Sequence, residues 1–201
     1  MNENQHGFRA KRSCLSQLLA HYELILKAFE LNEALDVIYL DFSKAFDKVD
    51  HGILMRKLKK YNITGEVAIW IHNFLQNRKQ QVVVGGRKST QTDMISGVPQ
   101  GSVLGPLLFI MFLADIDEEI LHSIISSFAD DSRISKIIRS STDGEQLQED
   151  LRTVYKWAEV NNMEFNSEKF EKISYNPTNE PFSYHADNDA EIQSNSVIKD
   201  L

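Results

Sequence analysis

The chain has a single cysteine, Cys14, so no internal disulfide can staple it, and the reading is a reducing intracellular compartment. It opens Met1-Asn2-Glu3-Asn4-Gln5 with no apolar run, so no signal peptide is expected. Its most apolar stretch, Val103 to Ala114, is interrupted by Gly105 and Pro106 and falls short of the ~20 residues that span a bilayer, so it reads as a buried helix. The six histidines show no metal-ligand spacing. Internal repeats and low-complexity tracts are missing too. An excess of basic charge is also lacking: 22 Lys and Arg stand against 29 Asp and Glu, a net of −7. Duplex binders normally present a basic surface that releases counterions, so weak nucleic-acid affinity is expected of this stretch alone. Part of the deficit is local. Glu180, Asp187, Asp189, Glu191 and Asp200 against Lys199 give −4 for residues 176–201, leaving −3 for residues 1–175.

What the chain does contain is patterned apolar sequence. At 201 residues it is long enough for one domain with a substantial core. Ser13 to Asn32 reads as a helix with Leu15, Leu18, Leu19, Tyr22, Leu26 and Phe29 at helical spacing. Leu35 to Phe42 reads as a strand. Helices are expected over 51–60 and 64–78, the second burying Val67, Trp70, Ile71, Phe74 and Leu75. Gln80 to Met94 reads as a hairpin around Gly85-Gly86. A glycine-rich loop at 96–101 leads into the apolar helix from about Ser102. Two strands, Ser123 to Ala129 and Ser132 to Ile138, flank Asp130-Asp131. Thr142-Asp143-Gly144-Glu145 has capping-box spacing and opens a helix with Leu147, Leu151, Val154 and Ala158 on its apolar face, broken at Asn161-Asn162. Lys172 to Tyr175 reads as a last strand, and beyond Asn176 the polar composition makes order doubtful. The sum is an α+β layer architecture.

The chemistry lies in the carboxylates. Asp130 and Asp131 share the turn of a hairpin in Ser126-Ser127-Phe128-Ala129-Asp130-Asp131-Ser132-Arg133-Ile134, and Asp41 ends an earlier apolar strand. Carboxylates from two strand ends suit two-metal phosphoryl transfer, because Mg²⁺ takes hard oxygen ligands and keeps positions open for phosphates. A turn Asp-Asp also caps backbone N–H groups, and an Asp beyond a strand also caps a helix. Taken singly, each aspartate leaves both readings open.

Four blocks in order resolve the ambiguity: Gln5-His6-Gly7-Phe8-Arg9; Asp41 in Ile38-Tyr39-Leu40-Asp41-Phe42-Ser43-Lys44-Ala45-Phe46-Asp47-Lys48-Val49-Asp50-His51; Ser96-Gly97-Val98-Pro99-Gln100-Gly101-Ser102-Val103-Leu104-Gly105-Pro106; and Phe128-Ala129-Asp130-Asp131. They resemble motifs 2, A, B and C of reverse transcriptases, in the style of non-LTR (LINE-type) retrotransposon polymerases. Asn166-Ser167-Glu168-Lys169 is similar to motif D, and Val197-Ile198-Lys199-Asp200-Leu201 to the start of the primer-grip segment. The resemblance implies a polymerase palm with partial fingers, an antiparallel sheet packed against helices. Residues 1–175 would form the fingers and palm core, and residues 176–201 a polar tail leading into the primer grip. It further implies RNA-directed DNA polymerase activity, Mg²⁺ (with Mn²⁺ as a substitute), an RNA template, a DNA primer and dNTPs. A thumb and an endonuclease in the rest of a polyprotein, and a nuclear location, are implied by the family alone.

Residue by residue, the resemblance assigns the metals to Asp41, Asp130 and Asp131. Phe46 becomes a steric gate against the 2′-hydroxyl, its rival role being an ordinary core aromatic. Gln100 and Gly101 are assigned to nucleotide and template positioning, and Arg9 to phosphate. Lys169 becomes the acid that protonates pyrophosphate. Phe170 departs from the usual small or polar neighbour, and Lys172 competes for that role. Asp47, Asp50 and His51 read as caps and turn residues. Two other readings stand beside this one: a non-catalytic RNA-binding or structural remnant, and another palm enzyme such as an RNA-copying RNA polymerase or a nucleotide cyclase, which Phe46 and Phe128-Ala129-Asp130-Asp131 disfavour.

Overall fold

A computed structural model describes residues 4–177 and 181–195; the segment assigned to the primer grip, Val197 to Leu201, lies outside them. In chain order the elements are α1 (Cys14–Glu30), β1 (Ala34–Leu40), α2 (Ala45–Lys48), α3 (His51–Lys60), α4 (Gly65–Leu75), β2 (Lys79–Gln80), β3 (Val83–Val84), β4 (Arg87–Lys88) and β5 (Thr92–Asp93). Then follow α5 (Leu104–Phe112), β6 (Ile124–Phe128), β7 (Asp131–Ile138), α6 (Ser141–Val160), a 3₁₀ turn (Ser167–Lys169), β8 (Glu171–Tyr175) and β9 (Gln193–Ser194). No helix among the described residues is long and apolar enough to cross a membrane. The chain divides into two compact units, residues 1–43 with 113–201, and residues 44–112.

The first unit is a five-stranded sheet in the order β6-β7-β1-β8-β9, antiparallel except for the β8–β9 pair. β1 sits at its centre and is buried along almost its whole length, as expected of a strand covered on both faces. Side chains alternate across a strand, so Leu35 and Val37 share one face. There they pack with Ala28, Leu24 and Ile25 of α1, while α6 packs on the sheet through β7.

Three expectations change here. α1 forms where its spacing predicts, but it buries Gln17, His21 and Ala28. Leu15, Leu19, Tyr22, Leu26 and Phe29 stay exposed, because two stripes share that helical period and the sheet engages the other one. The N-cap of α6 is Ser140, two residues before Thr142: the Asp143 carboxylate accepts from the Ser140 N–H at 3.1 Å, which satisfies a donor that the helix cannot. The polar stretch after Asn176 is ordered over 181–194, with Tyr184 fully buried and β9 paired to β8.

The second unit holds α2 to α5. In α4, Ile71 and Leu75 are buried, whereas Val67 and Trp70 are exposed, a correction to the expected stripe. The expected hairpin is broken into two short ladders, β2–β5 and β3–β4, the inner one closed by Gly85-Gly86. The apolar helix begins at Leu104, with Val103 exposed.

Candidate active site

One end of the sheet gathers the three aspartates assigned to the site. β1 runs antiparallel to β7 with Leu40 opposite Ser132, so Asp41, which follows Leu40, and Asp131, which precedes Ser132, lie at the same end of the sheet. Phe128 pairs with Asp131, which leaves Ala129 and Asp130 as a two-residue turn. Asp131 is therefore the first residue of β7, not a turn residue as expected, while Asp130 keeps its place at the tip.

That turn is strained and supported. Ala129 has φ +58°, a left-handed conformation that is uncommon for residues with a Cβ and costs roughly 1–2 kcal/mol. The Gln5 side chain holds it: its Oε1 accepts from Ala129 N at 3.1 Å and Gly7 N at 2.8 Å, and its Nε2 donates to Ala129 O at 3.3 Å. Residues 4–6 add backbone bonds to Ser127. A Cβ on Gly7 would lie 2.4 Å from Ala129 N, so only glycine lets the segment pass so close. Gln5 was missed in the sequence, where a lone glutamine has no signal beyond its block. Arg9 lies on the same segment, its Nη1 donating to Gln5 O at 3.3 Å.

Lys169 is the other arrival. Asn166 N donates to Asp41 O and Ser43 N to Glu164 O, both at 2.8 Å, lashing the 164–170 loop to the strand end. Beneath it Phe42, Tyr155, Phe165 and Phe170 form an aromatic cluster, with Phe42 and Phe165 stacked at 4.3 Å. Phe170 is 3% exposed, which explains an aromatic where a polar residue was expected: it anchors the loop. Burial pushes the Tyr155 hydroxyl up to about 12. The outcome is an ion pair of 3.2 Å between Lys169 Nζ and Asp41 Oδ2, with both side chains accessible.

Lys172, the competing lysine, is buried instead, 3% exposed. It pairs with Asp36 at 3.7 Å and donates to Phe182 O at 2.7 Å. Asp36 also accepts from Tyr184 Oη at 2.7 Å and from Ser174 Oγ. Burial, then the Asp36 charge, holds the Tyr184 hydroxyl far above its ordinary range.

Carboxylate oxygens are the donors a hard divalent cation prefers, and the backbone brings Asp41, Asp130 and Asp131 to one end of the sheet. Among the described residues, however, no three acidic, histidine or cysteine side chains converge as a cation cage. The one cation beside Asp41 that the described residues supply is the Lys169 ammonium, at 3.2 Å.

The remaining assigned residues belong to the second unit. Phe46 of α2 is half-buried, one ring face stacked on Phe109 at 4.3 Å. Gln100 is exposed, its amide donating to Asp47 Oδ1 at 3.1 Å. Gly101 has φ +76° and nothing within 4 Å of a Cβ, so conformation and not crowding favours glycine there. Asp50 caps α3 as expected, accepting from Ile53 N at 2.8 Å. His51 is the first residue of α3 and not its cap, and its Nε2 reaches Gly97 O at 2.8 Å.

Comparison with known proteins adds family evidence. Residues 1–189 match the family described as reverse transcriptase (RNA-dependent DNA polymerase). The chain is 35% identical over 183 residues to the RNA-directed DNA polymerase from mobile element jockey of Drosophila melanogaster, covering 85% of this chain and 19% of that protein. It is 31% identical over 178 residues to the probable RNA-directed DNA polymerase from transposon X-element of the same organism, covering 86% and 20%. It thus spans about a fifth of these relatives' length. Among solved structures, a telomerase from Candida tropicalis in complex with a TWJ fragment of telomeric RNA shares the fold, with a TM-score of 0.60 at 11% identity, covering 84% of this chain and 30% of that one.

Proposed function

This chain belongs to the reverse transcriptase family, and from that premise we propose that its residues carry RNA-directed DNA synthesis of the non-LTR retrotransposon type. A primer 3′-hydroxyl gives up its proton to solvent, and its oxygen attacks the α-phosphorus of a dNTP on an RNA template. The bond from that phosphorus to the bridging oxygen breaks, and pyrophosphate leaves. Protein catalysis is then positioning and charge stabilisation. The observation that carries the reading is the meeting of Asp41 and Lys169 at the sheet end where the β1–β7 register also sets Asp131 and the turn sets Asp130.

Asp41, Asp130 and Asp131 would hold divalent cations, Mg²⁺ or Mn²⁺, which supply activation of the 3′-hydroxyl and neutralisation of the triphosphate. Lys169 holds its proton beside Asp41 and delivers it to the departing pyrophosphate. Phe46 excludes the 2′-hydroxyl, Gln100 and Gly101 position nucleotide and template, and Arg9 takes phosphate. The remaining parts of a longer polypeptide, a thumb and an endonuclease, and an intracellular location belong to the same proposal.

The test is primer extension on an RNA template with Asp130→Asn beside the wild type. The substitution removes a charge and preserves shape, so metal-dependent extension is expected to vanish while the circular dichroism spectrum stays. Near-normal extension by the variant overturns the carboxylate assignment. A wild type that binds RNA without extending a primer favours the non-catalytic reading instead.

A further inference from the structure

In the second unit one backbone oxygen receives two side-chain donors from different elements. Gly97 O accepts from His51 Nε2 at 2.8 Å and from Arg78 Nη2 at 2.5 Å. The guanidinium is itself fixed, its Nε donating to Leu75 O at 3.1 Å at the end of α4. Both carbonyl lone pairs are thereby occupied, on a residue that is itself buried. The bonds on the other side of the loop run to the segment that carries Phe46. Gly97 N donates to Val49 O at 2.8 Å, Val98 N to Phe46 O at 2.9 Å, and Ser96 Oγ to Asp47 O at 2.8 Å.

The seat has no slack. Gly97 has φ +83°, and a Cβ there would lie 2.8 Å from the Asp47 backbone. Beside it opens a cleft of about 660 Å³ whose walls include Asp47, Arg78, Pro99 and Gln100.

We propose that His51 and Arg78 are positioning residues for sugar selection: by clamping the Gly97 carbonyl they press the 96–100 loop onto the 46–49 segment, so that Phe46 and Gln100 form one rigid edge. The proposal rests on the reading of Phe46 as the sugar gate. A steric gate discriminates by where a ring edge stands, and displacements of about 1 Å change such selection strongly. Removing one donor leaves a buried carbonyl under-satisfied; the loop then rotates, and the Phe46 carbonyl that it holds moves with it.

The experiment compares kcat/KM for ribo- and deoxyribonucleotides in the full chain. His51→Leu and Arg78→Met are each expected to raise the ribo/deoxy ratio roughly five- to tenfold, the effect of one lost hydrogen bond. His51→Gln, whose amide nitrogen reaches nearly the place of Nε2, is expected to restore the wild-type ratio. A generic structural defect would lower both substrates together. Hydrogen exchange at the Gly97 and Val98 amides, which needs no turnover, is expected to quicken in His51→Leu and Arg78→Met and to return with His51→Gln. If Phe46→Ala shifts the ratio and neither clamp variant does, the clamp is overturned and the gate stands. If Phe46→Ala leaves the ratio unchanged, the gate reading fails and the clamp's role in selection with it. Unchanged exchange overturns the clamp by itself.

Discussion

Replacing Lys172 by Met isolates the buried polar knot that ties residues 181–194 to the sheet. Lys172, Asp36 and Tyr184 are 3%, 4% and 0% exposed, and the ammonium sits over the Tyr184 ring at 5.0 Å from its centroid. Methionine fills similar volume, so the loss is polar: Asp36 keeps the donors Ser174 and Tyr184 but loses its counter-charge, and Phe182 O loses its donor at 2.7 Å. Breaking one side of a buried pair costs about 3–5 kcal/mol, a large part of the ~5–15 kcal/mol that stabilises a domain. With a urea m-value of ~2 kcal/mol/M, the midpoint should fall by ~2 M. Asp36→Leu combined with Lys172→Met removes both charges, and the pair should recover much of the loss, giving a coupling well above ~1 kcal/mol. Urea unfolding of the four proteins, followed by far-ultraviolet circular dichroism, measures this. A Lys172→Met loss no larger than the ~0.5 kcal/mol of a surface substitution, or additive single effects, would refute the argument.

Lys169→Ala should leave stability within ~0.5 kcal/mol, because its ion pair is exposed, yet slow single-nucleotide extension by roughly 10²-fold or more; rapid-quench kinetics beside a melting curve separates the two. Burial, then Arg12, Arg133 and Arg9, lowers the pKa of His6, so below its ordinary value of ~6.5 the unfolded chain takes up a proton that the folded one refuses. Stability should therefore fall as pH drops through and below that point, and His6→Gln should flatten the dependence seen in denaturant midpoints between pH 7 and 5. At the alkaline end the raised Tyr155 stays protonated in the fold while the unfolded chain ionises, so stability should decline from about pH 10 toward 12, and Tyr155→Phe should lessen the slope. Gly7→Ala drives a Cβ into the Ala129 backbone and should cost about 1–3 kcal/mol, with changed amide shifts at Ala129 and Asp130 by NMR.

The sequence by itself determined what depends on local pattern. Helix α3 forms over 51–60 as its period predicts, the hairpin around Asp130 forms where its turn signal lies, and the ordered motif blocks identify the family because they are long, specific and correctly arranged. Tertiary structure alone decided which of two interleaved stripes on α1 meets the sheet, since both obey the same 3.6-residue period and only the facing strand distinguishes them. It also separated two lysines three residues apart: Lys172 enters the sheet interior and pairs its ammonium with Asp36, while Lys169 stays on the lashed loop beside Asp41. The support from Gln5 depends on contact with a turn 124 residues away, and the convergence of His51 and Arg78 on Gly97 joins residues 46 and 19 positions from it. Local propensity carries no record of such partners, because each bond forms only after distant segments have been packed against one another.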